Sequence, residues 1–230
     1  MSMFMRLISP AVLIVLLGVG MSSAAIVPIT GVNAGVNGKP PYMLESITVG
    51  DFTITSEFLA LGKSAGSTFP FSNIRYADDF NLNTAAIRNG SGAWRVTNIG
   101  GLNTYSDING EDPDFFLLEV GMNDPVVVRA ILADGTLGQA IRISKSAWGD
   151  TGLDRVGILG GGQPIGGIAF AITDLLDAGG QPLAANTAIR GLQFNSENMD
   201  PVHFSAAMIP EPATLAILGL GGLLILRRLR

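Results

Sequence analysis

The chain has 230 residues and no cysteine, which excludes thiol nucleophiles, CxxC redox sites and cysteine-ligated zinc. Without the four arginines and one glutamate of its two terminal segments, it has ten basic and eighteen acidic residues, a formal charge of −8. That balance argues against nucleic acid as a partner, because phosphates would be repelled, and is compatible with divalent cations and with simple solubility.

The N-terminus has the three parts of a secretory signal peptide. A single cation, Arg6, precedes the apolar run Ala11–Gly20, and small residues follow it. Ser23 and Ala25 suit the −3 and −1 positions of a cleavage site, so cleavage is predicted after Ala25 or one residue earlier. The apolar run is shorter than the roughly 20 residues that a bilayer span needs, which disfavours an uncleaved membrane helix. Residues 1–25 are therefore predicted to be a signal peptide read by the secretion machinery.

Residues 26–208 are predicted to form one exported all-β domain. The region is rich in Gly, Asn, Asp, Thr and Ser, has little helical periodicity, and contains short alternating apolar runs between turn signals. Many short strands separated by loops are typical of a two-sheet antiparallel β-sandwich, for which a jelly-roll strand order is one arrangement.

The first half of this domain predicts several strands and turns. Gly50-Asp51 separates two alternating runs and predicts a tight turn or bulge. Phe115–Val120 is apolar on both faces and predicts a central buried strand. Val126–Leu132 predicts the next strand, and Asp134-Gly135 predicts a two-residue hairpin into a third strand that ends at Ile143. We expect these three strands to form a meander.

The second half predicts a loop, three strands and one helical turn. The glycine-rich stretch Gly160–Gly167 lacks the Lys-Ser/Thr of a phosphate loop and is predicted to be a flexible connection. Later strands are predicted at Ile168–Ile172, Leu192–Phe194 and Val202–Met208. A threonine cap and a glycine stop predict one short helical turn over Thr173–Ala178.

The acidic segment 107–114 is the strongest candidate for a ligand site in this domain. Hard cations bind several oxygen ligands within one flexible loop. Gly110 stands fourth and not sixth in this segment, so the order departs from that of an EF-hand. The segment predicts either a structural calcium site or an acidic solvated loop. The candidate ligands are Asp107, Asn109, Glu111, Asp112 and Asp114.

Aromatic residues and a single histidine are the other candidates. Trp94 and Trp148 could present flat faces to sugar rings, although core packing is the alternative, above all for Trp94, which alternates with Val96. His203 is the only histidine, and it is predicted to point outward to solvent if Phe204 faces inward. A Ser-His-Asp hydrolase would require a serine and a carboxylate beside it, and is the less favoured interpretation.

The C-terminus contains three distinctive segments. Pro210-Glu211-Pro212 is stiff and extended, because proline lacks an amide donor and restricts the residue before it. The apolar run Ala213–Leu226 predicts a helix of 14 residues, short for a permanent span of roughly 20. A terminal cluster of cations, expected to stay on the cytoplasmic side, consists of Arg227, Arg228 and Arg230.

These three segments, in this order, resemble a PEP-CTERM sorting signal. Such tails are found on Gram-negative bacterial proteins handled by exosortases, often in species that make exopolysaccharide. The resemblance covers only residues 209–230. It implies export, transient retention in the inner membrane, cleavage near the PEP motif by an exosortase-type enzyme, and delivery to the cell surface or extracellular matrix. A permanent single-span anchor is the alternative.

The sequence as a whole therefore predicts a non-enzymatic surface or matrix protein with no cofactor beyond a structural calcium ion. The segment Asp114–Gly121, with the hairpin after it, also resembles β-sandwich domains of bacterial surface proteins, some of them related to carbohydrate-binding modules. The alternatives are thus a carbohydrate-binding module for the cell's own exopolysaccharide and, less favoured, a secreted hydrolase.

Overall fold

The computed structural model describes residues 26–34, 43–65, 92–106, 113–154, 162–196 and 201–208. These ranges are all-β, with short 3-10 turns and no α-helix. None of the described segments is a helix of the length and hydropathy needed to cross a membrane. The strands are β1 Val27–Pro28, β2 Gly31–Ala34, β3 Leu44–Val49, β4 Phe52–Thr55, β5 Leu59–Ala60, β6 Lys63–Ala65, β7 Gly92–Thr97, β8 Phe115–Val120, β9 Val126–Leu132, β10 Ile141–Ile143, β11 Gly149–Asp154, β12 Pro164–Phe170, β13 Ile189–Ser196 and β14 Pro201–Ala207.

The strands form three antiparallel sheets. The middle sheet has the order β1-β12-β8-β14-β5, and β11 continues beside β1 along the same edge of β12. The front sheet has the order β10-β9-β13-β7-β6. The cover sheet has the order β2-β3-β4. The prediction of an all-β, sandwich-like antiparallel fold is confirmed.

The main hydrophobic core lies between the front and middle sheets. Phe115 and Leu117 of β8 face it from the middle sheet, and Trp94 and Phe194 face it from the front sheet. The Trp94 and Phe194 rings stack with centroids 4.2 Å apart. Large aromatic side chains thus fill the space between the two sheets, where burial of apolar area stabilises the fold.

A second core lies between the middle sheet and the cover sheet. Phe116 and Leu118 point to this side of β8, while Ile47 and Ile54 come from the cover sheet. Because both of its faces pack against other layers, all six residues of β8 are buried. The central buried strand predicted from its continuous apolar run is therefore confirmed.

Two tight turns agree with the sequence, one of them with a changed length. Gly50 has a positive φ of 57° in the two-residue turn that pairs Val49 with Phe52. The β9–β10 hairpin does form at Asp134-Gly135, but the Leu132 amide donates to the Thr136 carbonyl across three residues. The predicted loop length of two residues was wrong, because Gly135, which has a positive φ of 90°, is the third residue of the loop.

The predicted meander is wrong. β8 belongs to the middle sheet and β9 to the front sheet, so only β9 and β10 are neighbours. Gly121 and Met122, with φ values of 96° and 55°, redirect the chain from one sheet to the other. The Glu119 carboxylate accepts a 2.7 Å hydrogen bond from the Met122 amide and holds this turn.

The glycine-rich stretch is only partly a connection. Gly166 and Gly167 lie inside β12 and pair with both β8 and β11. A Cβ on Gly167 would lie 2.8 Å from the Ile29 Cβ, and one on Gly166 would lie 2.5 Å from the Met122 Cγ. The flexible-loop prediction was wrong for Pro164–Gly167, which form the first half of β12. The two glycines permit close packing between layers.

The predicted helical turn is shorter and begins earlier than the sequence suggested. It is a 3-10 turn over Ile172–Asp174, which places Thr173 inside it and Ala171 at its N-cap position. The Asp174 side chain, and not a threonine hydroxyl, accepts the Ala171 amide at 2.7 Å. Gly180 has a positive φ of 83° and belongs to a separate turn.

Candidate functional site

The predicted processing motifs at the two termini lie outside the described residues. They comprise the predicted signal cleavage positions Ser23 and Ala25, and the predicted sorting residues Pro210, Glu211, Pro212, Arg227, Arg228 and Arg230. The apolar run between the two halves of the tail also lies outside them, so its helix stays a prediction.

Asp114 is the one proposed calcium ligand that the structure describes. It is 2% exposed, and its two carboxylate oxygens accept hydrogen bonds from the Tyr105 hydroxyl at 3.1 Å and the Ile172 amide at 2.7 Å. The Tyr105 oxygen also lies 2.9 Å from the Ala207 carbonyl. Asp114 therefore connects three segments inside the fold.

The rest of the proposed calcium site stays a prediction. Asp107, Asn109, Glu111 and Asp112 lie outside the described residues. Within the part of the chain that the structure describes, no three acidic or histidine side chains are grouped closely enough to hold a metal ion.

Both tryptophans proposed as a sugar platform are core residues. Trp94 is 2% exposed and stacks on Phe194. Trp148 is 5% exposed, and its Nε1 donates to the Asp124 carbonyl at 2.7 Å. Neither indole presents a face to solvent, so the packing role that the sequence also allowed is the one observed. The reason is alternation along the strand, which turns Trp94 toward the same side as Val96.

His203 is buried, contrary to the prediction of a solvated side chain. The predicted alternation of side chains along β14 was correct, since Phe204 faces the main core and His203 faces the opposite side of the sheet, as Leu118 does. That opposite side is also covered, which the sequence did not indicate, and His203 is only 4% exposed. Burial lowers the pKa of His203 from 6.5 to about 3, because the charged imidazolium is disfavoured away from water.

The surroundings of His203 do not present a hydrolytic site to a substrate in solution. Ser205 lies two residues along the same strand on the same face, and it is fully buried. Glu119 is also fully buried, but it belongs to the main-core face of β8 and binds the Met122 amide. A nucleophile and base at these positions would need an opening that this packing closes.

The outer face of the front sheet carries a polar group that the sequence analysis did not single out. Arg129 and Arg95 flank Gln193 on neighbouring strands, and Arg142 lies beside Val127 on the edge strand. Arg95 and Arg142 are exposed, and Arg129 is half-buried. We call the three arginines, together with Gln193 and Asn195, the arginine face.

The sequence did contain a signal for this face. Each arginine lies between two inward apolar residues, as in Ile141-Arg142-Ile143, which is the period-2 pattern of an outward position on a strand. What the pattern does not give is which strands are neighbours. The order β10-β9-β13-β7 is what brings the three cations together.

Comparison with known proteins found no family model, no curated protein and no solved structure that matches this chain.

Proposed function

We propose that this chain is a non-enzymatic protein that is exported, held briefly in the inner membrane by its tail, and released to the cell surface or matrix. The observation that carries the proposal is the ordered C-terminal series of Pro210-Glu211-Pro212, the apolar run, and the terminal arginines. Its partners are the secretion machinery and an exosortase-type membrane enzyme. A helix of 14 apolar residues is short for a permanent span, which favours a temporary hold.

The positions of the first and last described strands are compatible with this proposal. Ile26, the first residue after the predicted signal cleavage, packs against the main core, and Ile29 is fully buried in the second core. At the other end β14 stops at Ala207, three residues before Pro210. Cleavage at both predicted positions would leave all of the described strands intact, as a processed protein requires.

The strand order supports a jelly roll, the finer arrangement that the sequence left open. β5, β14, β8 and β12 are consecutive in the middle sheet, and β7, β13, β9 and β10 are consecutive in the front sheet. Followed along the chain, β5, β7, β8 and β9 alternate between the two sheets, and β12, β13 and β14 do so again. Two interlocked Greek keys of this kind define the jelly roll, an architecture used by lectin and capsid domains.

The use of the buried polar groups supports a role other than catalysis. Tyr105 and Asp114 link segments of the fold, and Glu119 holds the turn between two sheets. His203 and Ser205 are buried. Each of these side chains has a structural use or a position that a substrate does not reach.

The experiment replaces the motif glutamate in the native cells and follows the protein by fractionation. In Glu211→Gln, we expect the unprocessed protein to accumulate in the inner membrane, while the wild-type protein reaches the surface or medium. Glu57→Gln is the matched control, because Glu57 is an exposed glutamate of the β-domain. Equal distribution of the three proteins would contradict a role for the motif. Retention of the wild-type protein in the inner membrane would instead support the permanent anchor.

A further inference from the structure

We propose that the arginine face binds a carboxylate-bearing polysaccharide. This inference rests on the proposed function in one respect only, since export is what brings the domain into contact with extracellular polymers. The binding surface itself lies on the outer face of the front sheet, on the side away from the main hydrophobic core.

The charge distribution supports an anionic ligand. The five strands of the front sheet contain Lys63, Arg95, Arg129, Arg142 and Arg190, half of the ten basic residues of the exported region. None of these strands contains an aspartate or a glutamate, although the region as a whole has a charge of −8. Positive charge is thus concentrated on one sheet of an acidic domain, where it attracts anions locally.

The arginines Arg95, Arg129 and Arg142 form no ion pair with a carboxylate in the part of the chain that the structure describes. Arg95 donates through Nε to the Gln193 Oε1 at 2.9 Å, and within the described residues its terminal nitrogens form no hydrogen bond. Arg129 makes only a long bond of 3.4 Å to the Gly138 carbonyl, and its buried Nε has no acceptor in the described structure. Guanidinium groups with unused donors match planar carboxylates, which they bind in a bidentate manner.

The amides on this face complement the cations. Gln193 is 9% exposed and is held between Arg95 and Arg129 by the strand register. It donates to the Asn195 Oδ1 at 3.4 Å. Directly opposed side chains on such a sheet have Cβ atoms about 5 Å apart, so the row from Arg129 through Gln193 to Arg95 covers about 10 Å. Amide groups and guanidinium groups at this spacing can bind hydroxyl and carboxylate groups along one polymer.

The shape and the side-chain types favour an acidic glycan over other ligands. Small molecules are held in concave sites, whereas the exposed Arg95 and Arg142 on two strands of one sheet suit an extended chain. Single-stranded nucleic acid is bound largely by stacking on aromatic residues, and the aromatic residues of these strands, Trp94 and Phe194, face inward. Neutral sugars lack the negative charge that the arginines attract. A polymer with both hydroxyl and carboxylate groups is the ligand that uses every group on the face.

The test measures binding of the full-length protein, in nonionic detergent micelles, to immobilised polygalacturonate at low salt. We expect binding to weaken as NaCl is raised, and dextran, a neutral polymer, not to bind. The double variant Arg95→Gln/Arg142→Gln is expected to lose affinity by about tenfold or more. Both residues are exposed, so this variant retains the core packing.

Arg142→Gln and Lys145→Gln form a matched pair. Each removes one exposed positive charge, and the two positions are three residues apart, but Lys145 lies in a 3-10 turn outside the sheet. Arg142→Gln should weaken binding, whereas Lys145→Gln should change it by less than about twofold, since exposed charges away from the contact are screened.

Three results would overturn the proposal. The first is an equal loss of polygalacturonate affinity in Arg142→Gln and Lys145→Gln. The second is equal binding of dextran and polygalacturonate, and the third is no binding of polygalacturonate at low salt. Tighter binding of single-stranded DNA than of polygalacturonate would replace the glycan by nucleic acid. Because the assay uses unprocessed protein, these failures would leave the proposal of export and tail cleavage unaffected.

Discussion

Acidification from pH 8 to pH 5 is expected to destabilise the protein through His203. Burial holds the folded pKa of this histidine at about 3, whereas an unfolded histidine titrates at 6.5. In the unfolded state His203 is therefore protonated below pH 6.5, whereas in the folded state it is protonated only below about pH 3. The free energy of unfolding is therefore unaffected by this titration above pH 6.5, and it decreases as the pH falls below 6.5. At pH 5 the free energy of unfolding is lower by about 2 kcal/mol, because pH 5 lies 1.5 pH units below 6.5 and each pH unit costs about 1.4 kcal/mol.

The assay is urea denaturation at both pH values for the wild-type protein and for His203→Gln and His203→Leu. We expect the wild-type free energy of unfolding to fall by about 2 kcal/mol more than that of either variant. Asp174 titrates in the same range, because burial raises its pKa to about 6, and acts in the opposite direction. Its contribution is common to all three proteins and cancels in the comparison. Equal pH dependence in all three proteins would refute the assignment of the effect to His203.

Two further substitutions test the packing between layers. Gly167→Ala should destabilise the protein by about 1–3 kcal/mol, because the new Cβ would lie 2.8–2.9 Å from Ile29 and Leu118 side chains. Gly31→Ala is the control, since its Cβ would lie at an ordinary 3.6 Å from Thr48; equal effects in thermal unfolding would contradict the close approach. Tyr105→Phe should cost about 1–3 kcal/mol, since the Asp114 and Ala207 oxygens lose a buried hydrogen-bond donor. A change below about 0.5 kcal/mol in denaturant unfolding would contradict that role.

Local features of this fold could be predicted because each depends on nearby residues. The continuous apolar run of Phe115–Val120 became the fully buried β8. Gly50 was placed in a turn because few other residues adopt a positive φ, and it has one. Asp134-Gly135 likewise marked the β9–β10 hairpin.

Features that depend on the arrangement of layers could not be predicted. His203 and Phe204 alternate as expected, but the period-2 pattern does not reveal that His203 and Ser205, on the face opposite Phe204, are also buried. Similarly, the backbone at Gly121 and Met122 sends β9 into a different sheet from β8, which no period-2 pattern reveals. The arginine face was missed for the same reason, because its members come from four separate strands.

Trp94 shows how one signal can support two interpretations. A large aromatic residue in a strand can fill a core or form a binding platform, and both uses have the same sequence pattern. The neighbour that decides between them is Phe194, a hundred residues further along the chain, on which Trp94 stacks. The position of the proposed glycan site therefore changes from the tryptophans to the arginines.

The most direct test of the central proposal is the intact mass of the protein recovered from fractions of its native cells. We predict a species in the surface or medium fraction that begins at Ile26 and ends near Pro210-Glu211-Pro212. A single species in the inner membrane that retains the residues through Arg230 would contradict sorting and release, and would make the tail a permanent anchor.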